Sequence, residues 1–140
     1  MSTPSRFWAD LATTDFAALD RSRAIAVLPV AATEQHGPHL PLSVDADLAD
    51  GVVHACLPHL PADLPALFLP TQAVGYSPEH TAFAGTLTLR AETVIRLWTD
   101  IAESVAATGS TAIVRARSSA AKSVVARSAQ KRGGVDMAAS

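Results

Sequence analysis

A chain of 140 residues, 49% of them hydrophobic and with a formal net charge of −2, has the length and apolar content for one buried core. The single Cys56 excludes an internal disulfide and makes a reducing, cytoplasmic setting the default expectation. The longest apolar run near the N-terminus is too short to span a bilayer, and Arg6, Asp10, Asp15 and Asp20 interrupt the opening segment, which does not read as a secretory signal.

Ser5 to Asp20 is expected to form one or two short helices, with Phe7, Trp8, Leu11, Phe16 and Leu19 packing over a sheet edge. The run Ala24 to Ala31 is short, apolar and without a polar alternate face, the pattern of a strand buried on both sides in a parallel sheet. A helix is expected from about Asp45 to Pro58, with Leu48, Val52, Ala55 and Cys56 on its apolar face. His54 and His59 read as surface or packing histidines. Ala66 to Pro70 is a second strand candidate, and Thr86 to Leu89 an extended piece. A long helix runs from about Ala91 to Thr108, its stripe built by Val94, Trp98, Ile101 and Val105, and Gly109 stands where a left-handed C-terminal residue belongs. Thr111 to Val114 begins a third strand. Strands alternating with helices predict an α/β fold with a parallel sheet.

Chemistry concentrates where the first strand ends, the place where open α/β sheets put their ligands. There the sequence reads Glu34-Gln35-His36-Gly37-Pro38-His39-Leu40-Pro41, with Asp45 shortly after. Residues two apart in extended backbone point to the same side, so Glu34 and His36 can converge. Gly37 permits a sharp turn, and Pro38 and Pro41 stiffen the loop. Two carboxylates and an imidazole suit a divalent cation such as Zn²⁺ or Mn²⁺. Asp45 also has the chemistry of a helix N-cap.

This loop resembles the hallmark of the creatininase (creatinine amidohydrolase) family. So does a second motif, Gly75-Tyr76-Ser77-Pro78-Glu79-His80 followed by Phe83-Ala84-Gly85-Thr86-Leu87-Thr88-Leu89. The resemblance covers about residues 20 to 109. It implies a parallel-sheet α/β/α creatininase-like fold and a metal-dependent hydrolase of non-peptide C–N bonds, often in a cyclic or small amide, working through a metal-bridged water. It further implies that Glu34 binds one cation, His36 another and Asp45 both, that Ser77 contacts substrate, and that Glu79 and His80 lie nearby. His39 is expected to act from behind the ligands, orienting one of them or the loop. Relatives of this kind open creatinine, deformylate a pyrimidine intermediate or process a small modified peptide. They are typically oligomeric, so a homo-oligomer is implied for a complete fold.

Residues 1–109 carry a net charge of −7 and residues 110–140 a net +5. From Arg115 onward the chain is mostly Ala, Ser, Arg, Val, Lys and Gly, too poor in apolar residues to fold alone. Nothing after Gly109 supplies the His-bearing loop and Glu that the family pattern requires. We therefore expect a creatininase-like domain over 1–109, incomplete at its C-terminus, that binds one divalent ion weakly or none and has little or no hydrolase activity. A basic low-complexity tail, frame-shifted or disordered, is expected over 110–140. Six basic residues without interleaved aromatics give only salt-sensitive phosphate attraction, so neither a specific nucleic acid nor a membrane is an expected partner. The competing reading is a catalytically silent α/β module that binds a partner or assembles with longer relatives.

Overall fold

The structure, a computed structural model, describes residues 5–110, 112–117 and 125–127. Its centre is β1 (Ile25–Val30), flanked in parallel by β2 (Ala66–Phe68) and β3 (Ala112–Arg117), with β4 (Val125–Arg127) antiparallel on the far side of β3. The sheet order is β2-β1-β3-β4. The parallel α/β prediction thus holds, and β1 is the covered middle strand that its apolar run predicts. β3 and β4 fall within the segment expected as a separate tail. The rest of that segment, residues 111, 118–124 and 128–140, lies outside the described residues.

The core gathers on one face of β1. Ala26, Leu28 and Val30, alternate residues of the strand, cluster with Leu69 and with Val105, while Trp8, Trp98, Ile101 and Ile113 pack against them. Val105, Trp98 and Ile101 come from α3 (Ala91–Ala107), whose stripe is the one its 3.6-residue period predicts. Gly109, at φ +94°, ends the helix. The indole N–H of Trp98 donates to Gln72 Oε1, which satisfies the polar handle of a packed aromatic.

At the N-terminus a 3₁₀ turn, Trp8–Asp10, precedes α1 (Thr13–Ala18). The backbone of this segment pairs with the open edge of β2: Phe7 bridges Phe68, and the Phe68 N–H donates to the Arg6 carbonyl. Trp8 and Phe16 pack with ring centroids 4.5 Å apart and planes tilted by 53°. The segment therefore shields an edge that would otherwise present unpaired backbone.

Helix α2 (Val44–Cys56) differs from its sequence-based reading in two ways. Its first turn opens from Ser43, whose carbonyl accepts from the Asp47 N–H, so Asp45 sits inside the turn rather than capping it. Its buried face is Ala49 and Val53, while Leu48 and Val52 are 53% and 56% exposed and Cys56 is exposed too. Both stripes have helical spacing, and the one carrying Ala49 and Val53 is the one buried. No described helix is long and apolar enough to cross a membrane.

Candidate metal centre

The loop after β1 is pinned on both sides. Ala31 N–H donates to the Gln72 carbonyl, Thr33 bridges Leu87, and Thr33 Oγ1 donates to the Ala73 carbonyl at 2.8 Å. Gly75 lets a neighbouring loop come close: a Cβ there would stand 2.8 Å from the Ala31 carbonyl oxygen, a contact that only glycine avoids. Gly37, at φ +80°, turns the chain after His36 through a region that side chains rarely enter. The rigidity expected from Pro38 and Pro41 is thus joined by pairing to residues some forty positions away.

Glu34 and His36 leave this loop, and Asp45 projects from the first turn of α2. One ligand atom from each lies within 4.8 Å of the others, all three side chains being partly buried. Backbone hydrogen bonding decides how His36 faces the group. Its Nδ1 is 3.0 Å from the Glu34 carbonyl oxygen. A carbonyl can only accept, so Nδ1 carries the proton and Nε2 keeps its lone pair. That Nε2 stands 3.5 Å from Asp45 Oδ1. Two acceptors held this close suit a cation between them. Two ligand atoms on a tetrahedral zinc with bonds of roughly 2.0–2.2 Å would be roughly 3.3–3.6 Å apart. The observed separation fits, and a ligand imidazole that gives its other N–H to a carbonyl is the usual arrangement in metal sites.

The remaining candidates differ in what they touch. His39 is exposed, its ring lying against Gly37 and making no hydrogen bond or ion pair among the described residues. Ser77 is 1% exposed; its N–H donates to Thr88 Oγ1, and its own Oγ is buried without a partner among the described residues. His80, from the 3₁₀ turn Pro78–His80, reaches the group directly: its Nε2 is 3.6 Å from Glu34 Oε1, and its Nδ1 is 3.0 Å from Gln35 Nε2. Gln35 is not among the sequence-based site candidates, and His80, which the resemblance places near the site, carries no assigned role there. The motif ending at His80 was the signal available, but spacing alone does not say that a residue 45 positions away meets Gln35.

The family model described as Creatininase: Creatinine amidohydrolase matches residues 9–132. The chain is similar to the mycofactocin precursor peptide peptidase of Mycobacterium tuberculosis (strain ATCC 25618 / H37Rv), 41% identical over 86 residues, covering 57% of this chain and 34% of that one. It is also similar to the protein of that name from Mycolicibacterium smegmatis (strain ATCC 700084 / mc(2)155), 43% identical over 65 residues, covering 45% of this chain and 26% of that one. Among solved structures it resembles a creatinine amidohydrolase (creatininase), with a TM-score of 0.70 and 29% identity over 81% of this chain and 45% of that one. It also resembles a structure described as creatininase Mn, at TM-score 0.71 and 28% identity, covering 82% of this chain and 46% of that one. The chain therefore spans about a third or less of the length of these curated relatives and under half that of the solved neighbours.

Proposed function

Because the chain belongs to the creatininase (creatinine amidohydrolase) family, we propose that it is a metal-dependent hydrolase of amide C–N bonds in which Glu34, His36 and Asp45 hold one divalent cation, zinc or manganese. The observation that carries this reading is the pair of acceptors, His36 Nε2 and Asp45 Oδ1, held 3.5 Å apart beside the Glu34 carboxylate. Three protein ligands with a fourth position open is the count that catalytic zinc sites use. Solved neighbours described as creatininase Mn and as a Zn-Zn type mutant creatininase support the choice of metals.

When bound, such an ion supplies Lewis-acid activation of water and of an amide carbonyl. The chain's own groups do the rest. The Glu34 carbonyl orients the His36 ring, Gly37 turns the loop away from its ligands, and the first turn of α2 presents Asp45. Ser77 is proposed as a substrate contact: a buried hydroxyl without a partner is rare, and a substrate carbonyl would satisfy it. For His39, exposed beside Gly37 and without a hydrogen bond among the described residues, the proposed role narrows to orienting the loop. The substrate class is a small or cyclic amide, or a short peptide as the names of the curated relatives suggest. A cytoplasmic setting and, for a complete fold, a homo-oligomer complete the proposal.

The test is titration calorimetry with Zn²⁺ and Mn²⁺, followed by hydrolysis assays on creatinine and on short peptides with the ion added. One equivalent bound, and lost in Glu34→Gln, is expected. Wild type that binds no more ion than the variant would sink the reading. The silent-module reading draws on the exposed Leu48 and Val52 of α2, a face suited to a partner, and predicts ion binding without turnover. A frame shift near the codons for 110–115 is the reading the charge reversal at residue 110 favours, against a family match that runs on to residue 132. Translating the other two frames decides it: no long His-containing continuation would rule it out.

A further inference from the structure

Gln35 and His80 form a second layer behind the ligands, and the protons in it can be assigned from one fixed point. The Gly37 backbone N–H can only donate, and it donates to Gln35 Oε1 at 2.9 Å. The other end of that amide must then be the NH₂ group, which lies 3.0 Å from His80 Nδ1. Because the amide donates, Nδ1 must accept, and the ring proton stands on Nε2. That Nε2–H faces Glu34 Oε1 at 3.6 Å, just beyond hydrogen-bond length.

We propose that His80 is a positioning residue for the Glu34 carboxylate, its tautomer set by Gln35. This rests on the reading of Glu34 as a cation ligand. A carboxylate has two oxygens, so one can face the His80 N–H while the other takes the ion. His80 is not among the side chains whose ligand atoms converge, so it acts on Glu34 and not on the ion. Its backbone is held for this purpose. His80 N–H donates to the Ser77 carbonyl, its own carbonyl accepts from Phe83 N–H, and the Phe83 ring lies 6.3 Å from the imidazole. The network has a direction: Gly37, the residue that turns the metal loop, sets Gln35, Gln35 sets His80, and His80 sets Glu34. Partners of this kind typically carry about 10–100-fold in metal affinity.

The experiment compares Zn²⁺ affinity by titration calorimetry for wild type, His80→Ala, His80→Gln and Asp45→Asn, with melting temperatures in chelator. His80→Ala should weaken binding about 10–100-fold while its chelator melting temperature stays near that of wild type. His80→Gln, which restores an N–H donor near the lost Nε2, should recover part of the affinity. Ring-nitrogen NMR of histidine-labelled, ion-free protein, with the His80 signal identified by its loss in His80→Gln, should show the proton on Nε2. His80→Ala affinity within about twofold of wild type, while Asp45→Asn binds nothing, would overturn the proposal and leave the metal reading standing. A proton on Nδ1 would overturn it as well. Wild type that binds no Zn²⁺ would overturn the metal reading and this proposal with it, leaving the NMR to judge the Gln35–His80 tautomer alone.

Discussion

Asp45→Asn separates two jobs that an acid in the first turn of α2 can hold. Asp45 Oδ1 stands 3.5 Å from His36 Nε2, and the Nδ1 bond to the Glu34 carbonyl leaves Nε2 without a proton to offer. Asparagine at that position presents an N–H to the same nitrogen. One net hydrogen bond contributes about 0.5–1.5 kcal/mol. Removing the acid from a first helical turn forfeits about 0.3–1 kcal/mol of interaction with the helix dipole. The two nearly cancel, so the melting temperature in chelator should move by no more than about 4 °C. Ion binding should respond differently. At a hundredfold excess over its Kd, Mn²⁺ stabilises the wild type by about 2.7 kcal/mol through mass action, and Asp45→Asn should gain almost none of this. Scanning calorimetry with chelator and then with Mn²⁺ reads both numbers. A variant that loses more than about 2 kcal/mol in chelator would make Asp45 a structural acid of the helix start. A variant that keeps the ion-dependent rise would refute its place among the ligands.

Leu28, 4% exposed in the middle of the β1 cluster, should cost about 2–5 kcal/mol when cut to alanine, measured by denaturant titration; a loss under about 1 kcal/mol would mean that the core does not close around it. Gly75→Ala places a methyl 2.8 Å from the Ala31 carbonyl oxygen, backbone against backbone. It should cost about 1–3 kcal/mol in the same titration, and unchanged stability would show that the two loops are free to separate. Metal analysis after dialysis against metal-free buffer should find at most one equivalent per chain, because only three ligand side chains converge among the described residues. Two tightly held equivalents would contradict that count.

What could be read early was local. The apolar run through Ile25–Val30 is too short for a helix and too uniform for a half-exposed strand, and it became the centre of the sheet. Val94, Trp98, Ile101 and Val105 repeat at helical spacing, and all four face the core. Glu34 and His36 are neighbours in an extended segment, so their convergence needed only strand geometry. Asp45 needed a little more, since a cap and a ligand have the same side chain. The carbonyl of Ser43, which accepts from Asp47, answered that by starting the helix two residues earlier.

Other features depended on neighbours far along the chain. Leu48, Val52, Ala49 and Val53 all lie at spacings that a helix would tolerate burying, and only the docking of α2 against β1 chose Ala49 and Val53. The Ser77 hydroxyl looks like any turn serine until the surrounding loops bury it. The tautomers of His36 and His80 follow from single acceptors and donors, Glu34 O and Gln35 Nε2, whose positions are tertiary facts. Composition and period therefore determined which elements exist and which residue types meet the end of β1, because those depend on contacts a few residues long. Which helix face is covered, and which nitrogen of each ring is left to bind, was decided by backbone groups brought together across the loops, because a proton goes to whichever partner the fold places within reach.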